Sequence, residues 1–469
     1  MAFSAERVHF VGIGGAGMSS LAELLLARGV RVTGSDRQEN AATGRLRILG
    51  AKVHIGHRPE RIGDPDVVVY SSAVPSRNCE LQMAHHRGLP VLRRGELLAA
   101  LMNGCRGLAV AGTHGKTTTT AMLASILEDV GLDPTVVLGG RHPRLGGGAR
   151  HGAGAFFVAE ADESDGSFLQ LSPEAAIVTN VDSDHLDFYG ERSAIEAAFA
   201  QFAGRLPRGG ALVYSAQSDT LVRIARDLDG RKRISFGVDC DADVAARQVH
   251  LTGLGSGFQV WRNGSRLGDV QLHVPGLHNV ADAVAAVALS VELEIPFRVC
   301  AASLSRFVAV ARRFEIIGEV DGVVVVHDYA HHPAEVRATL AAARAAADRV
   351  IAVFQPHLYS RTAALCHEFA QAFADADRVV ITEVYGGREQ FVPGVTGKLI
   401  SDGASSHHPD AAFVPELEHL SDHLVGGLRP GDYVLFLGAG DVWRGADMLL
   451  RRLRARDRAL EGSGEEVAV

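Results

Sequence analysis

A short glycine-rich segment, Gly112-Thr113-His114-Gly115-Lys116-Thr117-Thr118, contains the residue types that bind phosphate. It follows an apolar run at 108–111 and precedes a helical pattern over 118–130. Glycines let backbone N–H groups point inward, and the start of a helix adds partial positive charge. A lysine and a threonine hydroxyl then complete a cradle for phosphate oxygens and Mg²⁺. Although the segment is two residues shorter than the common G-x-x-x-x-G-K-[ST] pattern, it predicts a nucleoside triphosphate site.

A second glycine-rich segment lies near the N-terminus. Gly12, Gly14 and Gly17 satisfy the G-x-G-x-x-G pattern, follow a strand-like run at 8–11 and precede a helical pattern over 18–28. Asp36 stands at the position where such sites place an acidic ribose ligand. This pattern is typical of an NAD-dependent oxidoreductase. Any nucleoside diphosphate, including a UDP-sugar, offers the same chemical groups, so both interpretations stay open.

A carboxylate and an imidazole follow two strands of the middle region. Glu160 ends the strand-like run 156–160, and His185 follows the run 175–179. Parallel strands present their carboxyl ends at one edge of a sheet, so Thr117, Glu160 and His185 are expected to converge there. Oxygen ligands with one imidazole suit Mg²⁺ or Mn²⁺ bound to phosphate oxygens. Farther along, polar clusters at 328–333 and 355–362 end two more strands.

Short β-branched runs alternate with longer helical patterns along the chain, which predicts an α/β fold with mainly parallel sheets. Three blocks emerge. We expect domains at 1–105, 106–312 and 313–469. The length of 469 residues is consistent with three domains.

Composition excludes several classes of protein. The chain is 47% apolar and 22% charged, with a formal net charge of −8 and no long basic stripe, which argues against nucleic-acid binding. Its five cysteines form no C-x-x-C pair, and no apolar run is long enough for a membrane span. We therefore expect a cytoplasmic protein without membrane insertion, present as a monomer or homodimer. Residues 146–154 are interpreted as a flexible loop.

The order of these motifs resembles the Mur ligase family over essentially the whole chain. The segments that carry the resemblance are Gly12–Met18, Gly112–Thr118, Glu160–Asp165, His278-Asn279, Asp328–Pro333, Gln355–Thr362, Tyr385, Pro393–Val395 and Gly438–Trp443. The resemblance implies a Rossmann-like N-terminal domain that binds a UDP-sugar and a central ATP-binding domain of the P-loop type. A Rossmann-like C-terminal domain would close over ATP and the amino-acid site.

The implied activity is an ATP-dependent amide ligase of cell-wall peptidoglycan synthesis. It would join L-alanine to the lactyl carboxylate of UDP-N-acetylmuramate through an acyl phosphate, releasing ADP and phosphate. A related ligase that adds a peptide to the same sugar acid is the nearest alternative. A nucleotide-gated regulatory protein is a non-enzymatic alternative that leaves the second substrate site unexplained.

The resemblance also assigns roles to individual residues. Lys116, Glu160 and His185 would be catalytic, and Thr117, Glu160 and His185 would hold Mg²⁺, with Mn²⁺ as an alternative. ATP would contact Gly112, Thr113, His114, Gly115, Lys116, Thr117, Thr118, Asn279, Arg313 and Asp328. The UDP-sugar would contact Gly12, Gly14, Gly15, Ala16, Gly17, Met18, Ser19, Asp36, Ser71 and Ser72. The substrate carboxylate or amino acid would face His331, His357 and Arg361.

Two positions depart from the family pattern. Leu358 stands where an arginine is usual, and Asp282 stands where a second asparagine is usual. Leucine lacks the planar two-donor geometry with which arginine binds an anion, so we expect Arg361 or Arg388 to take over the contact with a substrate carboxylate or phosphate. We expect Asp282 either to weaken ATP binding through its charge or to contact the ribose.

Overall fold

The computed structural model describes residues 3–387 and 389–465. Its strands form three sheets with helices between them, which confirms the predicted three-domain α/β architecture. Parallel strands are joined by crossover connections that are usually helices. The alternation of short β-branched runs with helical patterns along the chain reflects this arrangement. Within the described residues, no helix is long and apolar enough to cross a membrane.

The first sheet has five strands in the order β3-β2-β1-β4-β5, and every pairing in it is parallel. Its elements are β1 (Arg7–Val11), α1 (Ala16–Ala27), β2 (Arg31–Asp36), α2 (Ala41–Ile48), β3 (Lys52–Ile55), β4 (Val67–Tyr70), α3 (Cys79–His86), β5 (Val91–Arg93) and α4 (Arg94–Met102). The strand order reverses beside β1, so the glycine-rich turn after β1 lies at the position where open sheets bind ligands.

The second sheet has ten strands. Its elements are β6 (Arg106–Ala111), α5 (Lys116–Asp129), β7 (Thr135–His142), β8 (Gly147–Arg150), β9 (Phe156–Glu160), β10 (Ala175–Val178), α6 (Leu186–Tyr189), α7 (Arg192–Gly204), β11 (Ala211–Ser215), α8 (Asp219–Arg226), β12 (Lys232–Val238), β13 (Val244–Thr252), β14 (Gly255–Arg262), β15 (Ser265–Leu272), α9 (Leu277–Glu292) and α10 (Phe297–Leu304). The strands lie in the order β15-β14-β13-β12-β11-β10-β6-β9-β7-β8. The central strand β6 pairs in parallel with β9 and β10, so the ends of all three meet at one edge.

The third sheet has six strands in the order β16-β17-β21-β18-β19-β20, with β16 antiparallel at one edge and the other pairings parallel. Its elements are β16 (Glu315–Val320), β17 (Val323–Asp328), α11 (Pro333–Arg344), β18 (Arg349–Phe354), α12 (Tyr359–Ala370), β19 (Arg378–Ile381), α13 (Gly397–Ser405), β20 (Ala411–Phe413), α14 (Leu417–Val425), β21 (Asp432–Leu437) and α15 (Trp443–Glu465). Buried valines of β17 and β18 pack under α11 and α12.

The described residues fall into two compact units. One contains the described part of Met1–Val249 with Phe258–Gln271 and Asn279–Ala311, and the other contains His250–Gly257, Leu272–His278 and the described part of Arg312–Val469. Inside the first unit, one hydrophobic core cluster includes Phe10 of the first sheet, Phe157 of the second sheet and Phe202 of helix α7. The first two sheets therefore share a core.

The predicted flexible loop at 146–154 is wrong in part, because Gly147–Arg150 forms β8 and pairs antiparallel with β7. Gly147 and Gly148 lack the β-branched side chains that indicate a strand, so the sequence pattern missed it. Their small size has a packing reason. A Cβ on Gly148 would lie 2.1 Å from Ser20 Oγ, and a Cβ on Gly147 would lie 2.3 Å from Glu23 Oε2. Both partners belong to α1.

Candidate functional site

The phosphate-binding loop spans the end of β6 and the start of α5, as the sequence predicts. Lys116 folds back over it, and its Nζ donates hydrogen bonds to the backbone oxygens of Gly112 at 2.6 Å and Thr113 at 3.1 Å. The same Nζ lies 2.8 Å from Glu163 Oε1. Helix α5 begins at Lys116, so its unsatisfied backbone N–H groups and positive end point at the loop. An anion bound there would meet both the lysine and the start of the helix.

Three residues that follow β10 hold the loop in shape. Asn180 Oδ1 accepts from the His114 N–H at 2.9 Å, and its Nδ2 donates to the His114 carbonyl at 3.0 Å. The Thr179 hydroxyl also donates to the His114 carbonyl, and the Asp182 N–H donates to Thr113 Oγ1 at 2.9 Å. A Cβ on Gly112, whose φ is +133°, would lie 2.0 Å from Thr179 Oγ1. Only glycine fits there, and the sequence identified that glycine without identifying its partners.

Thr117 and Glu160 are brought together as predicted. The Thr117 hydroxyl donates to Glu160 Oε2 at 2.8 Å, and the Gly139 N–H donates to the same oxygen at 2.8 Å. Thr117 is buried and Glu160 is partly buried. A hydroxyl and a carboxylate oxygen beside a phosphate loop are the hard donors that Mg²⁺ prefers. The donor set therefore fits the predicted metal.

An acidic segment after β9 surrounds Lys116. Burial raises the pKa of Glu163 to about 7, although Lys116 opposes this shift. The pKa of Asp162 lies well below its usual range. Burial alone would raise that pKa, but the positive charges of Arg94 and Lys116 lower it by a larger amount. Burial alone would lower the pKa of Lys116. The nearby carboxylates raise it by a larger amount, so the net pKa is raised and the lysine is charged. The sequence pattern indicated this segment but not Glu163 in particular, because no local feature pairs Glu163 with a lysine 47 positions away.

His185 lies beside two carboxylates, those of Glu163 and Asp184. Its Nε2 is 3.7 Å from Glu163 Oε1 and 3.6 Å from Asp184 Oδ2. Its backbone adopts a φ of +56°, directly before α6. The imidazole is therefore held near the lysine and its carboxylate partner.

Helix α9 contributes Asn279 and Asp282, both buried. Asp282 Oδ1 accepts from Thr119 Oγ1 at 2.9 Å. A Cβ on Gly115 would lie 2.4 Å from the same oxygen. The departure from the family pattern thus places a carboxylate against the phosphate-binding loop.

The N-terminal glycine turn has the predicted form. Gly12 adopts a φ of +83°, and its N–H donates to the Ser35 carbonyl at 2.8 Å. The Gly14 N–H donates to Asp36 Oδ2 at 2.8 Å. Asp36 therefore braces the turn itself, in addition to any contact with a ribose. Gly15 is the last residue before α1 begins.

The other predicted UDP-sugar residues differ in exposure. Ala16 and Gly17 form the first turn of α1, and Ser19 Oγ donates to the Ala16 carbonyl at 3.0 Å. Met18 is 1% exposed and packs in the core, so a ligand can meet only its backbone. Ser71 and Ser72 follow β4, where Ser71 is partly buried and Ser72 is exposed.

The second compact unit contains Arg313 and Asp328. Asp328 accepts hydrogen bonds from the N–H groups of Phe314 at 2.6 Å and Ala330 at 2.7 Å. Burial raises the pKa of Asp328 against the opposing charge of Arg313. The guanidinium of Arg313 lies 5.3 Å from the centre of the Tyr329 ring. Both residues are thus held by the turn after β17.

The three predicted substrate residues of this unit lie together. The rings of His331 and His357 are 5.9 Å apart, and Arg361 Nη1 lies 3.2 Å from His357 Nδ1. His357 stacks on Tyr385 with ring centres 5.9 Å apart. Leu358 is 6% exposed with a φ of +70°, and its side chain packs towards Gly387. A buried alkyl chain thus occupies the position of the usual arginine. Of the two arginines expected to replace it, Arg361 lies in the first turn of α12, and Arg388 lies outside the described residues.

Three family models match successive parts of the chain. They describe the Mur ligase family catalytic domain over 7–106, the Mur ligase middle domain over 110–290 and the Mur ligase glutamate ligase domain over 312–440. Together they cover most of the chain.

Relatives with this similarity are named UDP-N-acetylmuramate–L-alanine ligase. One from a Geobacter species is 46% identical over 454 residues, which is 96% of this chain and 98% of the relative. Another from Sorangium cellulosum is 46% identical over 467 residues, with 98% of each chain covered.

Solved structures agree with these relatives. The UDP-N-acetylmuramate-alanine ligase of Thermotoga maritima matches with a TM-score of 0.84 and 32% identity over 97% of this chain and 100% of that one. A murein peptide ligase from Psychrobacter arcticus matches with a TM-score of 0.72 and 27% identity over 96% and 98% of the two chains. The chain belongs to the Mur ligase family.

Proposed function

We propose that this protein joins L-alanine to the lactyl carboxylate of UDP-N-acetylmuramate, with conversion of ATP to ADP and phosphate. The observation that carries the proposal is the near-complete coverage, at 46% identity, of relatives named for that reaction. The geometry of Lys116, Thr117 and Glu160 supports it, since an ammonium group, a hydroxyl and a carboxylate suited to phosphate and a divalent cation lie at the edge of the second sheet. The reaction belongs to peptidoglycan precursor synthesis.

The site residues suit a reaction in which two anions meet. The lactyl carboxylate attacks the γ-phosphate of ATP, the bond from that phosphorus to the bridging oxygen breaks, and an acyl phosphate and ADP form. Lys116 reduces the repulsion between carboxylate and phosphate and stabilises charge on the transferred group. Mg²⁺, when bound by Thr117 and Glu160, would neutralise phosphate charge. The amine of L-alanine then attacks the acyl carbon, and phosphate leaves.

We assign binding roles in the same way. The turn with Gly12, Gly14 and Gly17 would hold the UDP diphosphate at the start of α1. Asn279, Arg313 and Asp328 would contact ATP. His331, His357 and Arg361 would bind the amino acid or the sugar acid. We keep 1–105, 106–312 and 313–469 as the proposed domain boundaries.

Phosphate release tests the proposal directly. We expect release from ATP and Mg²⁺ only when UDP-N-acetylmuramate and L-alanine are both present, with UDP-N-acetylmuramoyl-L-alanine detected by mass spectrometry. Mn²⁺ is expected to replace Mg²⁺. ATP hydrolysis that ignores both substrates would contradict the proposal.

The similarity to a murein peptide ligase makes a peptide the competing amine substrate. Replacing L-alanine by the tripeptide L-alanyl-γ-D-glutamyl-meso-diaminopimelate in the same assay separates the two reactions. Faster turnover with the tripeptide would assign the chain to the peptide-adding reaction. Use of ATP agrees with a cytoplasmic location, which we propose together with a monomeric or dimeric state.

A further inference from the structure

Arg94 lies between the turn at Gly12–Gly17, which we assign to the UDP-sugar, and the acidic segment at 162–167, which contacts Lys116 of the nucleotide site. It begins α4, and its Nη2 donates to Asp162 Oδ2 at 2.8 Å and to Ser167 Oγ at 3.1 Å. Asp165 Oδ1 lies 3.7 Å from the same nitrogen. The side chain is only 15% exposed. Three contacts from one acidic segment therefore hold this guanidinium in a single position.

The other side of Arg94 lies against the UDP-sugar turn. A Cβ on Gly17 would lie 3.0 Å from both Cδ and Nη1 of Arg94. The third glycine of the pattern therefore makes room for the guanidinium, which passes directly beside the first turn of α1. A Cβ on Gly95 would lie 2.4 Å from the Cβ of Ser167, so the start of α4 and the acidic segment also pack tightly.

The acidic segment continues from Arg94 to the phosphate-binding loop. Asp162 interacts electrostatically with both Arg94 and Lys116. Glu163, the next residue, accepts from Lys116 Nζ at 2.8 Å and is itself buried. Residues 162–163 thus contact the UDP-sugar side through Arg94 and the nucleotide side through Lys116.

We propose that Arg94 is a positioning residue that couples UDP-sugar binding at Gly12–Gly17 to nucleotide binding at Gly112–Thr118. A diphosphate at the start of α1 would hold the turn against Arg94, and Arg94 would hold the acidic segment that orders Lys116. A nucleotide would order the same segment from the other side. The ligand that binds first therefore reduces the entropy cost of ordering the acidic segment for the second ligand. Each ligand raises the binding affinity of the other by the same factor. The inference rests on the proposed function.

Calorimetric titration of the full-length protein measures this coupling. A non-hydrolysable ATP analogue with Mg²⁺ is titrated with and without saturating UDP-N-acetylmuramate. For the wild type we expect the analogue to bind at least about fivefold more tightly with the sugar present, the lower end of measured coupling factors. For R94M and for D162N we expect a factor close to one.

R106M is the matched control, because Arg106 also pairs with a carboxylate, Glu174, but is half-exposed and stands at the start of β6, at the opposite end of that strand from the phosphate-binding loop. It should keep the wild-type factor. The proposal would be overturned by an R94M variant that binds both ligands more weakly but keeps the wild-type ratio of analogue affinities with and without the sugar. A ratio of one in the wild type would also overturn it. If the wild type does not bind UDP-N-acetylmuramate at all, the proposed function fails instead.

Discussion

At the scale of single residues, the site is organised around one partly buried lysine. Lys116 donates to two loop carbonyls and to Glu163, so its ammonium group is largely removed from water. Burying a lone charge is costly, and the partner carboxylate offsets that cost. A γ-phosphate would take over part of the role of Glu163. Phosphate binding would therefore change the contact between Lys116 and the acidic segment.

Replacing Lys116 tests this role. K116A should reduce amide formation at least about 100-fold, because it removes a cationic donor to the transferred phosphoryl group. Binding of UDP-N-acetylmuramate alone should change little, since its proposed turn lies at Gly12–Gly17. Coupled phosphate release and calorimetry measure the two effects. K398A, at an exposed lysine paired with Asp402, is the control. Undiminished turnover in K116A would remove the lysine from the mechanism.

Asp282 offers a second test at this scale. D282N keeps an oxygen that accepts from Thr119 Oγ1 but removes a negative charge beside Gly115. Less repulsion of phosphate should lower the KM for ATP about fivefold, equivalent to about 1 kcal/mol at a partly buried site. Initial rates at fixed Mg²⁺ measure it. A KM for ATP that is unchanged or higher would show that the Asp282 carboxylate does not weaken ATP binding by repelling its phosphates.

At the scale of elements, the β7–β8 hairpin joins the first two sheets. Ser20 of α1 donates through Oγ to the Leu138 carbonyl at 2.9 Å, and Glu23 Oε2 accepts from the Gly148 N–H at 3.2 Å. Arg45 Nε donates to the other oxygen of Glu23 at 2.7 Å. Helix α1, whose start lies at the proposed UDP-sugar turn, is thus held along its side by the hairpin.

The hairpin contact can be tested by its glycine. G148A would place a methyl group 2.1 Å from Ser20 Oγ, so overpacking should lower the free energy of unfolding by about 1–3 kcal/mol. G44A is the matched control, because Gly44 lies inside α2 with no atom within 4 Å of its Cβ position. That change should stabilise the protein by about 0.5–1 kcal/mol. Denaturant unfolding of the two variants compares them. Equal stabilities would contradict the close contact.

At the scale of the whole molecule, stability depends on groups that folding keeps uncharged. Burial lowers the pKa of His327 to about 4, and the charge of Arg312 adds to the shift. Burial, with the charge of Arg313, lowers the pKa of His278 to about 4 as well. The unfolded chain binds protons at these positions from about pH 6.5 downward, and the folded chain does not. The contribution of these two neutral histidines to the free energy of unfolding is therefore fully present above about pH 6.5 and is lost as the pH falls towards 4.

This dependence predicts the behaviour of H327L. Between pH 7 and pH 5 the wild type should lose about 2 kcal/mol through His327 alone, and H327L should lack that part of the loss. Denaturant unfolding at the two pH values measures it, and comparison of the variant with the wild type at each pH cancels other groups. H419Q, at an exposed histidine, should follow the wild type. Parallel losses in H327L and the wild type would refute the assignment.

Most of the fold was predictable because it depends on local patterns. The three blocks and the strands before each glycine turn followed from hydrophobic periodicity and loop composition, whereas the family followed from the resemblance of the ordered motifs. The hairpin strand β8 was not predictable, since its glycines are explained only by the helix against which they pack. Among site residues, Thr117 and Glu160 meet as expected from their strand ends.

The sequence alone determined which residue types were available and where each element begins, because side-chain period, glycine turns and helix starts act over a few neighbouring residues. Only the tertiary structure decided which distant groups meet. Lys116 pairs with Glu163, 47 positions away, and Arg94 pairs with Asp162, 68 positions away. Such pairs depend on how sheets pack, and their energies depend on burial, which no local pattern records.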